Sequence, residues 1–333
     1  MLWHMRDRLA AIPEVELPLD DTTSALVERS AAYLASPEAL ATTARDPYWP
    51  KWDSPWWHML ALFELGVADR IPATVARAMV ERLNAMPVHT FPLRAEDWPA
   101  GTDPRRDAQC HCAVGCIDQV LAACGLDVDR ELPWFAPWFA RYQMADGGYS
   151  CDETAYAAVG ECPSSMVGTV PMLEALTRRA PSVAADRAAE MVLGRELRQG
   201  SATRHNADER ESAKAWPRLT FPRFYFYDVL RGLAAVTRYA VAHRRSLPLA
   251  ALAPVIDHLL ASAPDGVLRV ERRAWDGKTT WSPADHWAAR QPVAIPPLVD
   301  HLGMLGHPSA PLTNQWTRTR KDLVTLLDAG QLT

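Results

Sequence analysis

The amino-acid sequence predicts an all-α protein, and three observations carry that expectation. Apolar residues recur at spacings of three and four through most of the chain. Cap residues and first-turn prolines mark where those runs begin. No series of alternating strands interrupts them, and about eleven or twelve helices fall into consecutive pairs, which is the pattern of a repeat protein.

Residues 1–20 read as an N-terminal arm. A first helix is expected over 22–35, with Asp20, Asp21 and Thr22 as capping candidates. A tryptophan-rich link over 46–55 feeds a helix beginning Trp56-Trp57-His58, with Ser54 and Pro55 at its start and Gly66 as its stop. Residues 72–85 repeat the helical period. The polar, proline-bearing stretch 87–107 is too long for a connector, so it is expected to be a lid or an irregular cavity wall.

Helices follow over 110–124 and 131–142, the second started or interrupted by Pro133 and Pro137. Next come 165–179 and 183–198, then a polar segment, 199–215, expected as an exposed loop. Helices over 221–242 and 247–262 lead to a turn at Pro264-Asp265-Gly266. The last helices are expected over 283–305, broken by Pro292, Pro296 and Pro297, and over 317–327.

The chain has 333 residues, longer than the usual domain of roughly 100–200, which a repetitive architecture accommodates. With 48% hydrophobic residues and a net charge of -5, it has an ordinary soluble composition. No basic stripe argues for nucleic acid. No run approaches the ~18 apolar residues of a membrane span, and Arg6, Asp7 and Arg8 stand where a signal peptide needs an apolar core. A cytoplasmic location is therefore expected. There thiols stay reduced, so six cysteines confined to positions 110–162 point to metal binding before disulfides. Cys116 and Cys124 lie in an apolar run and read as small core residues.

The sharpest motif is Trp138-Phe139, Gln143, then Gly147 and an aromatic, Tyr149: an outer helix ending in a glycine turn, with a glutamine able to tie it to the next repeat. A degenerate echo occupies 259–268. This spacing resembles the glutamine–tryptophan repeat of squalene-hopene cyclases. Together with Cys112-Ala113-Val114-Gly115 and the stretch 219–233, it resembles bacterial squalene-cyclase-like, prenyltransferase-repeat proteins over roughly positions 50–270. The resemblance implies one α/α toroid over 1–333, with inner helices ringing a central cavity. The Asp-x-Asp-Asp acid of class II terpene cyclases is absent, as is the Asp-Asp-x-x-Asp of class I enzymes, which argues against a conventional terpene cyclase.

In such a toroid the starts of the inner helices converge, which implies a zinc site built from Cys112, Cys151 and Cys162, with His111 as an alternative ligand. Thiolates and neutral imidazole suit zinc, and a catalytic zinc keeps one position open. Two related toroid families support the idea: protein prenyltransferases hold zinc with Asp, Cys and His, and lanthipeptide cyclases with Cys, Cys and His. Cys110-His111 followed by Gly115 resembles the Cys-His pair of the latter. Packing cysteines are the competing reading.

Asp228, among aromatics, is either a general acid or base or the partner of Arg223 or Arg231. Tyr225 and Tyr227 are hydrogen-bonding candidates for substrate or reaction, and Arg223 and Tyr149 are further candidates to bind substrate. Asp152 is an acid or a fourth ligand, or else a solvated turn residue. Trp56, Trp57 and His58 line a cavity or pack the core. The function expected is a zinc-dependent lyase, cyclase or transferase acting on a small organic molecule, thiol-containing or terpenoid-like. The alternative is a non-catalytic binding protein for an apolar ligand or peptide, which could manage with the tryptophans alone.

Overall fold

The computed structural model describes residues 2–86, 90–91, 94–97, 100–101, 109–152, 154–273, 279–281 and 290–333. Among them helices carry the fold. The first five are α1 (Leu2–Ala11), α2 (Asp21–Leu34), α3 (Pro37–Arg45), α4 (Pro55–Glu64) and α5 (Ala73–Ala85). The middle of the chain holds α6 (His111–Ala123), α7 (Val128–Glu131), α8 (Phe135–Tyr142), α9 (Met166–Thr177), α10 (Val183–Gly194) and α11 (Asp208–Ala213). Last come α12 (Val229–His243), α13 (Leu249–Ser262), α14 (Pro297–Leu302) and α15 (Ala310–Asp328). Short strands β1 (Thr90–Phe91) and β2 (Gln109–Cys110) pair in parallel, and β3 (Thr279–Trp281) and β4 (Arg290–Pro292) pair antiparallel.

Helix starts follow from local chemistry. Asp20, Ser36, Ser165, Ser182 and Asp228 each accept the N–H three residues on, satisfying one of the donors that a helix start leaves open. Pro37 and Pro55 occupy first turns, where a missing N–H costs nothing.

Several expectations are corrected. The arm over 1–20 begins with α1, which packs on α15. Helix α3 was not foreseen, although Ser36-Pro37 is a good start signal. The loop expected over 199–215 contains α11, whose acidic first turn suits the positive helix N-terminus. Helix α12 starts at Val229, not 221. Pro222 disfavours helical backbone just before it, and Phe224 at φ +54° cannot continue a helix. The helix over 131–142 divides into α7 and α8, and α15 starts at Ala310, ahead of 317. Among the described residues of 283–305 only α14 is helical; 283–289 lie outside them, as does most of the lid-like stretch 87–107.

Contacts run in sequence along every second or third helix: α4 packs on α6, α6 on α9, α9 on α12 and α12 on α15. Around this arc α10 covers α9, α13 covers α12, and α2 covers α4. The α6–α9 crossing is close. A Cβ on Gly115 would lie 2.7 Å from the carbonyl carbon of Pro171, so only glycine lets the two backbones approach this far. One cluster of buried apolar side chains extends from Met5 to Leu332.

Candidate metal centre

The glycine turn expected after α8 forms, and it positions the first candidate ligand. Gln143 Nε2 donates to the carbonyls of Gly147 (2.9 Å) and Ala184 (2.7 Å), tying the end of α8 to the first turn of α10. Gly147 takes φ +90° against the backbone of Arg187. Tyr149 is fully buried, its hydroxyl donating to the Phe139 carbonyl at 3.0 Å and its N–H to Thr169 at 3.0 Å. It pins the turn. Two residues later the chain delivers Cys151.

The sulfur of Cys151 accepts the N–H of Cys112, at 3.3 Å, in the first turn of α6. That N–H has no partner within its own helix, and a helix N-terminus favours negative sulfur. Cys110 occupies the N-cap position of α6, its sulfur 3.0 Å from that of Cys112. The sulfurs of Cys110, Cys112 and Cys151 all lie within 4.8 Å of one another. Three cysteines placed in this way could hold a metal ion.

Two of the three expected sulfur ligands are thus brought together, and the third is Cys110 where Cys162 was expected. Cys162 lines a separate surface cleft with Met144, Tyr156 and Glu161. His111 is not one of the grouped ligands: its ring is buried against Tyr142 and stacked on Tyr156 at 5.4 Å. The Cys-x-Cys spacing across the N-cap was the signal for Cys110. An extended cap residue and the second helical residue turn their side chains to one side.

Lys51 was missed altogether. Its ammonium donates to Tyr225 Oη at 2.9 Å and sits 5.1–5.6 Å from the ring centres of Tyr48, Trp49 and Tyr225. Burial draws the Lys51 ammonium downward, but Tyr225, Cys110 and Cys112 outweigh it and hold it above its ordinary value. Hydrogen bonds from Cys112 and Cys151, with the field of Lys51, hold the Cys110 thiol well below its usual range, whereas burial and the neighbouring thiols push Cys112 up. A lone lysine inside Trp49-Pro50-Lys51-Trp52 was the legible sign of this aromatic box.

The remaining candidates make contacts within the fold. Asp228 is fully buried and caps α12: it accepts the N–H of Arg231 at 2.9 Å and of Thr220 at 3.3 Å, and pairs with Arg223 at 3.4 Å. Its oxygens are engaged, which favours the ion-pair reading over acid–base work. Tyr227 donates to the Leu197 carbonyl at 2.7 Å and packs over Gly232. Asp152 lies in a turn, accepting from Thr154 at 2.8 Å and meeting His205 Nε2 at 3.0 Å. Burial raises its pKa, but those bonds prevail and lower it. Trp56 and Trp57 are core residues, 1% and 0% exposed, the latter packed on Trp52 and Phe224. His58 meets Ser30 Oγ at 3.1 Å on α2, and burial depresses it to about 4.

No helix among the described residues is long and apolar enough to cross a membrane. No family model, no curated protein and no solved structure matches the chain.

Proposed function

We propose that the chain is a zinc-dependent enzyme whose metal is held by Cys110, Cys112 and Cys151, with Lys51 and Tyr225 as its polar reaction groups. The grouping of the three sulfurs within 4.8 Å carries this reading. Thiolate ligands select zinc among the common divalent ions, and three protein ligands leave a fourth position for substrate. In a tetrahedral site with ~2.3 Å zinc–sulfur bonds the sulfurs stand ~3.8 Å apart, so a small rotation of Cys110 brings the set into register.

Charge supports the same conclusion. Three thiolates bring three negative charges, a divalent ion answers two of them, and the Lys51 ammonium beside Cys110 and Cys112 answers the third. Burying the sulfurs without such compensation is costly. When bound, the ion supplies Lewis acidity toward a carbonyl, thiol or water of the substrate. Lys51, kept protonated, stabilises negative charge that develops beside it. Tyr225 accepts Lys51's proton in a hydrogen bond and retains its own hydroxyl hydrogen for the substrate. This combination suits addition, elimination or thiol-transfer chemistry, hence a lyase, cyclase or transferase acting on a small organic molecule, thiol-containing or terpenoid-like.

The order of contacts along α4, α6, α9, α12 and α15 supports an α/α toroid with these as inner helices. So does the Gln143 bridge from α8 to α10, the role this glutamine has in the repeat it resembles. The sulfur group lies at the start of α6, and Lys51 and Tyr225 precede α4 and α12, so the site occupies the N-terminal ends of three helices of the arc.

Metal analysis of protein purified without added metal tests the reading. About one equivalent of zinc is expected in the parent and in Cys162→Ser, and below about one-tenth equivalent when Cys110, Cys112 and Cys151 are changed to Ser together. Cobalt replacement should give intense sulfur-to-metal absorption in the parent and in Cys162→Ser, and none in the triple variant. Metal-free parent protein, or zinc retained by the triple variant, would overturn it.

A further inference from the structure

A second site lies on the same stripe of α6. Residues 112, 116 and 119 share one helical face, and Gln119 stands seven residues beyond Cys112, ~10 Å along the axis. There a cleft of about 260 Å³ opens among α4, α6, α9, α12 and α15. Its lining includes Glu64, Gln119, Glu174, Gln315, Arg238 and Arg318.

The floor of the cleft is charge-balanced internally. Arg231 makes two bonds to Glu174, at 2.7 and 3.1 Å, and Gln119 donates to the same carboxylate at 3.2 Å. Arg223 is divided between Asp228 and Gln315. The mouth is not balanced. Arg238 on α12 and Arg318 on α15 are both exposed, and neither makes a hydrogen bond or ion pair among the described residues. Burial, then the repulsion of Arg238, depresses the Arg318 guanidinium. Asp322 feels the field of both but stands beyond ion-pair distance. Glu64, at the inner wall, accepts one bond, from the Arg223 N–H at 2.7 Å, and retains acceptor capacity toward the cleft.

Two neighbouring guanidinium groups, neither with an acid at ion-pair distance, each present a planar fork of N–H donors and together can grip an oxyanion. We propose that this cleft binds a small organic anion, its phosphate or carboxylate held between Arg238 and Arg318 and a hydroxyl- or amine-bearing end reaching Glu64. The volume, just under the ~300–1,000 Å³ usual for drug-sized ligands, sets the size at that of a small metabolite. The site does not rest on the metal reading, because none of its residues belongs to the sulfur group.

The test uses the full chain, with inorganic phosphate and succinate as probes against sodium chloride of matched ionic strength. Either probe should raise the melting temperature beyond the chloride control and give a saturable calorimetric titration. Stronger phosphate binding assigns a phosphate ester, and stronger succinate binding a carboxylate. Arg238→Gln combined with Arg318→Gln should weaken binding at least about tenfold. Both side chains are exposed, so the melting temperature without probe should not change, which separates lost binding from lost folding. Glu64→Gln should alter affinity for phosphoethanolamine while leaving inorganic phosphate unaffected. No response in the parent beyond chloride, or an equal response in the double variant, overturns the site.

Discussion

Cys110 and Lys51 illustrate how a residue's chemistry depends on neighbours far away in the chain. Neither is unusual alone, yet a sulfur at a helix N-cap and an ammonium in an aromatic box together set the charge that an ion at this site would meet. Lys51→Met should leave one negative charge unanswered and lower zinc affinity by about tenfold, measured by competition with a chromophoric chelator. Glu64 makes a prediction in pH. Burial lifts its carboxyl from 4.5 to about 7, against the pull of Arg223 and Arg231. Below pH 4.5 the folded and unfolded chains are both protonated there and the contribution is fully present; as pH rises through 7 it is lost. Glu64→Gln should therefore match the parent near pH 4 and exceed it by about 1–3 kcal/mol above pH 7.5 in urea unfolding. His58 acts oppositely. Burial holds it down to about 4, so its contribution is lost as pH falls from 6.5 toward 4.

Helix α6 is the element on which both sites depend. Its start presents Cys110 and Cys112, its inner stripe continues through Cys116 to Gln119, and Gly115, one turn before Gln119 on the same side, makes the close crossing with α9. A methyl group at position 115 would collide with backbone, which cannot rotate away, so Gly115→Ala should cost about 1–3 kcal/mol despite better helix propensity. Gly194, at the exposed end of α10, has open space around it and an ordinary helical backbone, and Gly194→Ala should stabilise by about 0.5–1 kcal/mol. Thermal unfolding of the two variants should move in opposite directions. If both destabilise equally, the close crossing is not the cause.

At the scale of the whole molecule, the two ends of the chain are joined. Helix α15 presents Asn314, Thr317 and Arg320 in successive turns to the segment after α1. Asn314 bonds both backbone groups of Leu17, at 2.8 and 3.0 Å, and Thr317 donates to Val15 at 2.8 Å. The buried Arg320 guanidinium donates to the carbonyls of Leu9, Ile12 and Pro13 at 2.7–3.0 Å. Arg320→Met would strand those carbonyls, at a cost of about 2–4 kcal/mol. Hydrogen exchange should then quicken over residues 2–17 ahead of the arc. Unchanged exchange there would show that the arm is held by other contacts.

Helical class, most helix positions and the role of Gln143 were legible because caps, first-turn prolines and the 3.6-residue period are local signals. Cys112 and Cys151 were legible as a pair only through the toroid that the resemblance implied. Their replacement partner was not: Cys110 and Cys162 look equally suitable in sequence, and it is the packing of the α6 start against the turn after Tyr149 that brings one sulfur close and leaves the other in a separate cleft. Asp228 shows the same division, since its residue type permits catalysis or capping and only the burial of Arg223 and Thr220 around it makes it a cap. Residue type determines what chemistry a side chain can do. Which groups share a site is a property of long-range packing, because the contacts that assemble it join segments tens to hundreds of residues apart.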